Sequence, residues 1–262
     1  MTSLAATAKR VPLASLRELG RTGLIGSVAA MVAGLLAGGI GSRLAMSLVA
    51  IADPTAQGLL TANDNVVGKV TLDGTLFLGL FATLVAAFHG GLLYIAYARL
   101  LPGPTALRGL LLGVALLCIF GAQIIEPSNR DFVRFASPPW DIGLFAVLFL
   151  AFGLIAVGVG AGADRRLPPI DAPLGWAFEV AGIGLIMFWV VIAALVFGLD
   201  PDPSLIVTFG GAMGVAALTH LLPGPLTTWI GRAVLIGVSV AGAVGLVGGI
   251  IHIFSLDAVR LP

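Results

Sequence analysis

Charge is what this sequence lacks most. It has 14 Lys and Arg and 13 Asp and Glu among 262 residues, 10% in all, where soluble domains carry about 25%. A net charge of +1 with no basic stripe offers nucleic acid no electrostatic footprint. Cysteine occurs once, at Cys118 within an apolar run. That excludes an internal disulfide and a CxxC redox pair, and leaves the thiol a packing role. The only lysines, Lys9 and Lys69, lie outside the apolar runs, so a retinal Schiff base within a span is excluded. HExxH, GxSxG and P-loop motifs are missing. Asn63-Asp64-Asn65 lacks the spaced Gly and Glu of a calcium loop and reads as a surface turn. No catalytic residue and no metal site is expected.

Apolar residues fill the space left by charge, at 58% of the chain and a mean hydropathy of +1.08. Glycine is also abundant, at 36 residues. Inside lipid the hydrophobic effect no longer drives helices together, and small residues that let backbones approach take over. A span needs about 20 apolar residues. Segments near 24–50, 75–98, 106–125, 141–163, 174–198, 204–221 and 230–254 meet or approach that. The sequence therefore predicts an all-α integral membrane bundle of about seven transmembrane helices, occupying residues 22–262. Residues 1–21 read as a cytoplasmic lead-in, either a surface helix or a disordered tail. They are not read as a cleaved signal, because the apolar run that follows exceeds the ~7–15 residues of a signal core.

With the N-terminus inside, Lys9, Arg10, Arg17, Arg21, Arg99, Arg108, Arg165, Arg166 and Arg232 fall on the cytoplasmic side. Lys69, Arg130, Arg134 and Arg260 fall outside. This bias predicts an N-in, C-out chain. Leu100-Leu101-Pro102-Gly103-Pro104 recurs as Leu221-Leu222-Pro223-Gly224-Pro225, each followed by an arginine and then Gly-Val. One leading helix followed by three helical hairpins, turning on Pro-containing loops, accounts for the pattern. Duplication and the simple helix-ending habit of proline both remain open. External loops are expected at 53–74, with a small hairpin near 66–72, and at 126–140. Their polar residues Asp64, Glu126, Arg130 and Asp131 are candidates for recognition.

Four polar residues stand in or near the spans. Arg43 is the one basic residue inside an apolar run, costly without a partner. It is either an anion or substrate contact, or an anchor paired with an acid such as Asp53 or Glu126. His89 in Phe88-His89-Gly90-Gly91 is a hydrogen-bonded helix contact, a proton relay, or a haem or chlorophyll ligand. Glu179 pairs with Arg165, Arg166 or Arg232, or couples protons. Gln123 bonds to another helix. Small residues recur every four positions in the first span, at Gly26, Ala30, Gly34, Gly38 and Ser42, and in the last, at Ala233, Gly237, Ala241, Gly245 and Gly249. Such rows are grooves for a neighbouring helix. The two terminal helices are expected to pack on each other or to receive helices of other proteins.

The stretch from Gly38-Gly39 through Arg43 to Asn65-Val66-Val67-Gly68 and Thr71-Leu72-Asp73-Gly74-Thr75 resembles a group of uncharacterised multi-pass proteins of high-GC bacteria. The resemblance spans the first half of the chain. It implies a bacterial inner (plasma) membrane location and a multi-pass topology, with no established activity. The expected function is a non-catalytic membrane subunit or scaffold, packing on other subunits through its glycine-rich faces and binding lipid or pigment. The alternative is a small-solute or ion transporter using Arg43 and His89.

Overall fold

The structure, a computed structural model, describes residues 13–61, 66–69, 71–134, 138–168, 175–199, 210–211, 214–215, 218–222 and 224–260. Among the described residues it is helical, with one isolated antiparallel bridge between Leu60 and Val66. Five helices are long and apolar enough to cross a membrane: Ser15–Ala52, Leu72–Tyr97, Thr105–Ile124, Pro138–Arg166 and Pro225–Leu256. A further helix covers Gly175–Leu199. Most of the expected segment 204–221 lies outside the described residues.

The first rod is continuous from the lead-in. α1 (Leu13–Ala33) passes through a π-helical stretch, Gly34–Gly41, into α2 (Ser42–Ala52). The span of 38 residues is about 57 Å long at 1.5 Å per residue, against an apolar core of about 30 Å. Residues 13–21 are thus continuous with the first rod, which is longer than an apolar core requires. α3 (Leu72–Tyr97) starts earlier than its apolar pattern alone indicates, because Thr71 caps it by accepting from Gly74 N at 3.3 Å. Asp73 in its first turn adds a charge that suits the helix dipole. Of the hairpin expected at 66–72, Leu72 belongs to α3, and the bridge that forms pairs Val66 with Leu60. α4 (Thr105–Leu116) leads through a second π-helical stretch, Leu117–Gly121, into α5 (Ala122–Ile124). A short α6 (Arg130–Arg134) precedes α7 (Pro138–Arg166). α8 (Gly175–Leu199) and α9 (Pro225–Arg260) complete the described helices.

Packing follows small residues rather than order along the chain. α1 is the common neighbour of α3, α7 and α8, while α4 lies chiefly on α7. At the α4–α7 crossing, a Cβ on Gly109 would lie 2.8 Å from Leu154 Cα, and one on Gly113 2.8 Å from Leu150 Cα. One on Gly153 would meet Gly109 O at 2.3 Å, so the backbones touch there. Gly20 and Gly182 provide the equivalent approach of α1 to α8. A buried hydrogen bond from Trp189 Nε1 to Ser27 Oγ at 3.3 Å reinforces it. The α1 row is filled by α3: Gly26 faces Tyr94 and Ile95, and Gly38 faces Ala82. Gly34 is buried in the π-helical stretch. The two small-residue rows therefore do not find each other. α3 carries complementary small positions, Gly79, Ala82 and Gly91, and takes the groove.

The last row fares differently. α9 packs on the second π-helical stretch and on α5. Its closest approach is Gly242, where a Cβ would lie 2.2 Å from Cys118 O. Gly249 abuts Ile125 O and Gly245 meets Ala122, whereas Gly237 has nothing within 4 Å among the described residues. Ala233, Gly237, Ala241 and Gly245 are all exposed on the outside of the bundle.

Candidate ligand cavity between the two wide turns

One end of the bundle is tied together by arginines. Arg17 Nε donates to Glu179 Oε2 at 2.7 Å, with the Glu179 side chain 7% exposed. Glu179 thus pairs with Arg17, on the turns that extend α1, and not with Arg165, Arg166 or Arg232. Arg21 bonds Asp164, and Arg99 bonds Glu18. Arg108 donates to Ala98 O, and Arg232 Nε donates to Leu100 O at 2.9 Å. The arginines after the two Leu-Leu-Pro-Gly-Pro copies therefore cover carbonyls left open where α3 ends. Gly103 in the first copy has φ +92°, a conformation that favours glycine. His220 accepts this setting as a neutral ring. Its Nε2 lies 3.2 Å from Ile95 O, as a donor, and its Nδ1 3.3 Å from Arg99 Nη1, as an acceptor. Each guanidinium here has a structural task.

The opposite end is acidic and hollow. A cavity of about 400 Å³ lies under the loops, bounded by Ser42 and Met46 of α2, Thr61 and Val67 of the first loop, Asn129, Asp131 and Phe132 of the second, and Asp141 and Phe145 of α7. A second cavity of about 390 Å³ lies deeper, among Ala37, Gly38, Phe120, Phe145, Phe149 and Phe152. The two share Ser42, Gln123, Ile124, Phe145 and Leu148. Together they form a space that is polar at the loops and aromatic within. Each is of the size that holds small molecules, ~300–1,000 Å³. Among the described side chains, no lysine or arginine lines the two cavities.

Both π-helical stretches border this space. Gly34–Gly41 contributes Ala37 and Gly38 and hands on to Ser42; Leu117–Gly121 contributes Phe120 and leads to Gln123 and Ile124. Wide turns of this kind recur at functional sites because they shift side chains out of the ordinary helical register.

Asp141 is the feature hardest to explain by packing. It sits in the first turn of α7 and is 8% exposed. Neither of its carboxylate oxygens has a hydrogen-bond partner among the described residues. Among the described residues, the charged groups that act on it are two more acids, Asp53 and Asp131. Asp53 is itself buried and caps the turn after α2 by accepting from Thr55 N at 2.9 Å and Thr55 Oγ1 at 2.6 Å. Asn129 holds the second loop in place, donating to Ile124 O at 2.9 Å and accepting from Asp131 N at 3.1 Å.

The residues singled out from sequence divide around this cavity. Gln123 lines both halves, and Asp131 lines the polar half. Arg43 is buried at 7% exposure, next to Ser42 on the wall, and is not among the lining residues. Its carbonyl accepts from Ser47 Oγ at 2.9 Å. His89 belongs to α3, but its side chain lies outside the described ones, as does that of Arg130. The ring of Phe152 rests on the neighbouring Gly90. Glu126 is exposed and accepts from Ser128. Asp64 lies outside the described residues. Sequence reasoning passed over Asp141 and the phenylalanines of α7, and placed Ser42 only in a packing row. The available signal was an acid at the edge of an apolar run, in Pro138-Pro139-Trp140-Asp141, which reads first as a helix boundary.

Among the described residues no group of three or more His, Cys, Asp and Glu side chains is arranged to hold a metal ion. Comparison with protein-family models, curated proteins and solved structures found no match in any of the three. The residues of the chain itself must therefore point to its function.

Proposed function

We propose that this chain is a non-enzymatic integral protein of the bacterial inner membrane, with seven spans and its N-terminus inside, that receives a small solute in the paired cavities. The observation that carries this reading is the buried carboxylate of Asp141 on the cavity wall, without a hydrogen-bond partner among the described residues. Leaving such a group unsatisfied costs stability, and buried ionisable groups in spans mark substrate or ion paths. The arginines support the orientation, since Arg17, Arg21, Arg99, Arg108 and Arg232 of the cytoplasmic set are bound at the end opposite the acidic loops. The solute path in this reading runs through Asp141, Gln123 and Ser42, with Arg43 beside its wall. The test is access. With Cys118 replaced by alanine, Ser42→Cys in intact cells should react with N-ethylmaleimide at a rate at least about tenfold above a cysteine placed in the packed α4–α7 crossing. An inert Ser42→Cys would refute the reading.

A second reading rests on α9. Its row Ala233, Gly237, Ala241 and Gly245 faces outward, a surface on which another subunit's helix can lie. The corresponding row of α1 is filled within the chain, so a scaffold would engage partners through α9. Lipid covers this face otherwise.

A further inference from the structure

We infer that the paired cavities take an organic cation with an apolar body, its charge at Asp141 and its apolar part among Phe120, Phe145, Phe149 and Phe152. This rests on the cavity being a solute site and adds the chemical class of the solute.

The charge is fixed by what surrounds Asp141. A carboxyl group removed from water either keeps its proton or, once ionised, needs an opposite charge or hydrogen-bond donors, so an entering cation favours its ionised form. Asp141 has no hydrogen bond among the described residues, and its charged neighbours Asp53 and Asp131 are acids. Among the described side chains that line the space there is no lysine or arginine. An anion would meet repulsion there, while a cation supplies what the site lacks.

The apolar body follows from the deeper half. Its wall is dominated by phenylalanine and aliphatic side chains, and aromatic faces attract organic cations. A hydrated inorganic ion would gain nothing from that surface, and the described residues offer no cluster of ligands for one. The shared wall at Ser42, Gln123 and Leu148 makes the polar and apolar halves a single amphiphilic site.

The test compares two probes of similar shape and opposite charge, tetraphenylphosphonium and tetraphenylborate. Binding to the full chain in phosphatidylcholine nanodiscs would be measured by equilibrium dialysis against empty nanodiscs. Tetraphenylphosphonium should bind saturably at one site per chain. Asp141→Asn should weaken it about tenfold or more, and Asp141→Glu should stay within about threefold of the wild type. Tetraphenylborate should show no saturable binding. If Asp141→Asn does not fold, the contrast between the two probes on the wild type still decides. Equal binding of both probes, or phosphonium binding unchanged in a folded Asp141→Asn, overturns the cation assignment and leaves the solute cavity standing. Binding of neither probe overturns the assignment as well; if Ser42→Cys is also inert, the cavity reading falls with it.

Discussion

At the scale of single residues, two buried carboxylates behave in opposite ways. Glu179 is held by Arg17, and Asp141 is held by nothing described. Removing one partner of a buried pair leaves an uncompensated charge, at a cost of about 3 kcal/mol. Arg17→Met should therefore lower the melting temperature in mild detergent more than Glu179→Gln, which leaves no buried charge behind. Equal melting temperatures for the two variants would show that the pair contributes little. The existence of both acids was plain in the sequence, but their roles were not. Glu179 was assigned arginines close to it in the expected topology, because the turns carrying Arg17 were read as separate from the first span. Asp141 was not singled out, because burial depends on which loops fold over a helix end.

At the scale of helices, glycine spacing was partly legible. The row through Gly26 and Gly38 does receive a helix, but from α3 of the same chain. The densest crossing, Gly109 and Gly113 against Gly153, uses a Gly-x-x-x-Gly spacing that was open to view in the sequence and outweighed by the longer rows. A bulky side chain distinguishes a used row from an open one. Gly113→Leu would push into the α7 backbone and should abolish folding or lower the melting temperature steeply. Gly237 is exposed with no described neighbour within 4 Å, so Gly237→Leu should leave the melting temperature of the isolated protein within about 2 °C, since exposed substitutions away from packing change stability little. If α9 docks another subunit, the same Gly237→Leu should stop that subunit from co-purifying in mild detergent. Unchanged co-purification would remove the scaffold reading. The two π-helical stretches were not legible. A hydrogen bond to the fifth residue back instead of the fourth is selected by crowding from neighbouring helices, and composition carries no mark of it.

At the scale of the whole molecule, the sequence shows a membrane bundle with arginines collected at one end, and the structure places Arg17, Arg21, Arg99, Arg108 and Arg232 together there. The other end was foreseen as polar loops on a surface. In the fold those loops roof a cavity assembled from segments around residues 42, 123 and 141–148, which no local pattern connects. The solute-binding account depends on that cavity being both reachable and negative. The most direct measurement is the rate at which Ser42→Cys, in a Cys118→Ala background in sealed cells, reacts with a trimethylammonium methanethiosulfonate and with its sulfonate counterpart. The account predicts modification by the cationic reagent at least about tenfold faster, as expected of a cleft that focuses one sign of charge, with the preference lost in Asp141→Asn. Equal rates for the two reagents, or no reaction with either, would contradict it.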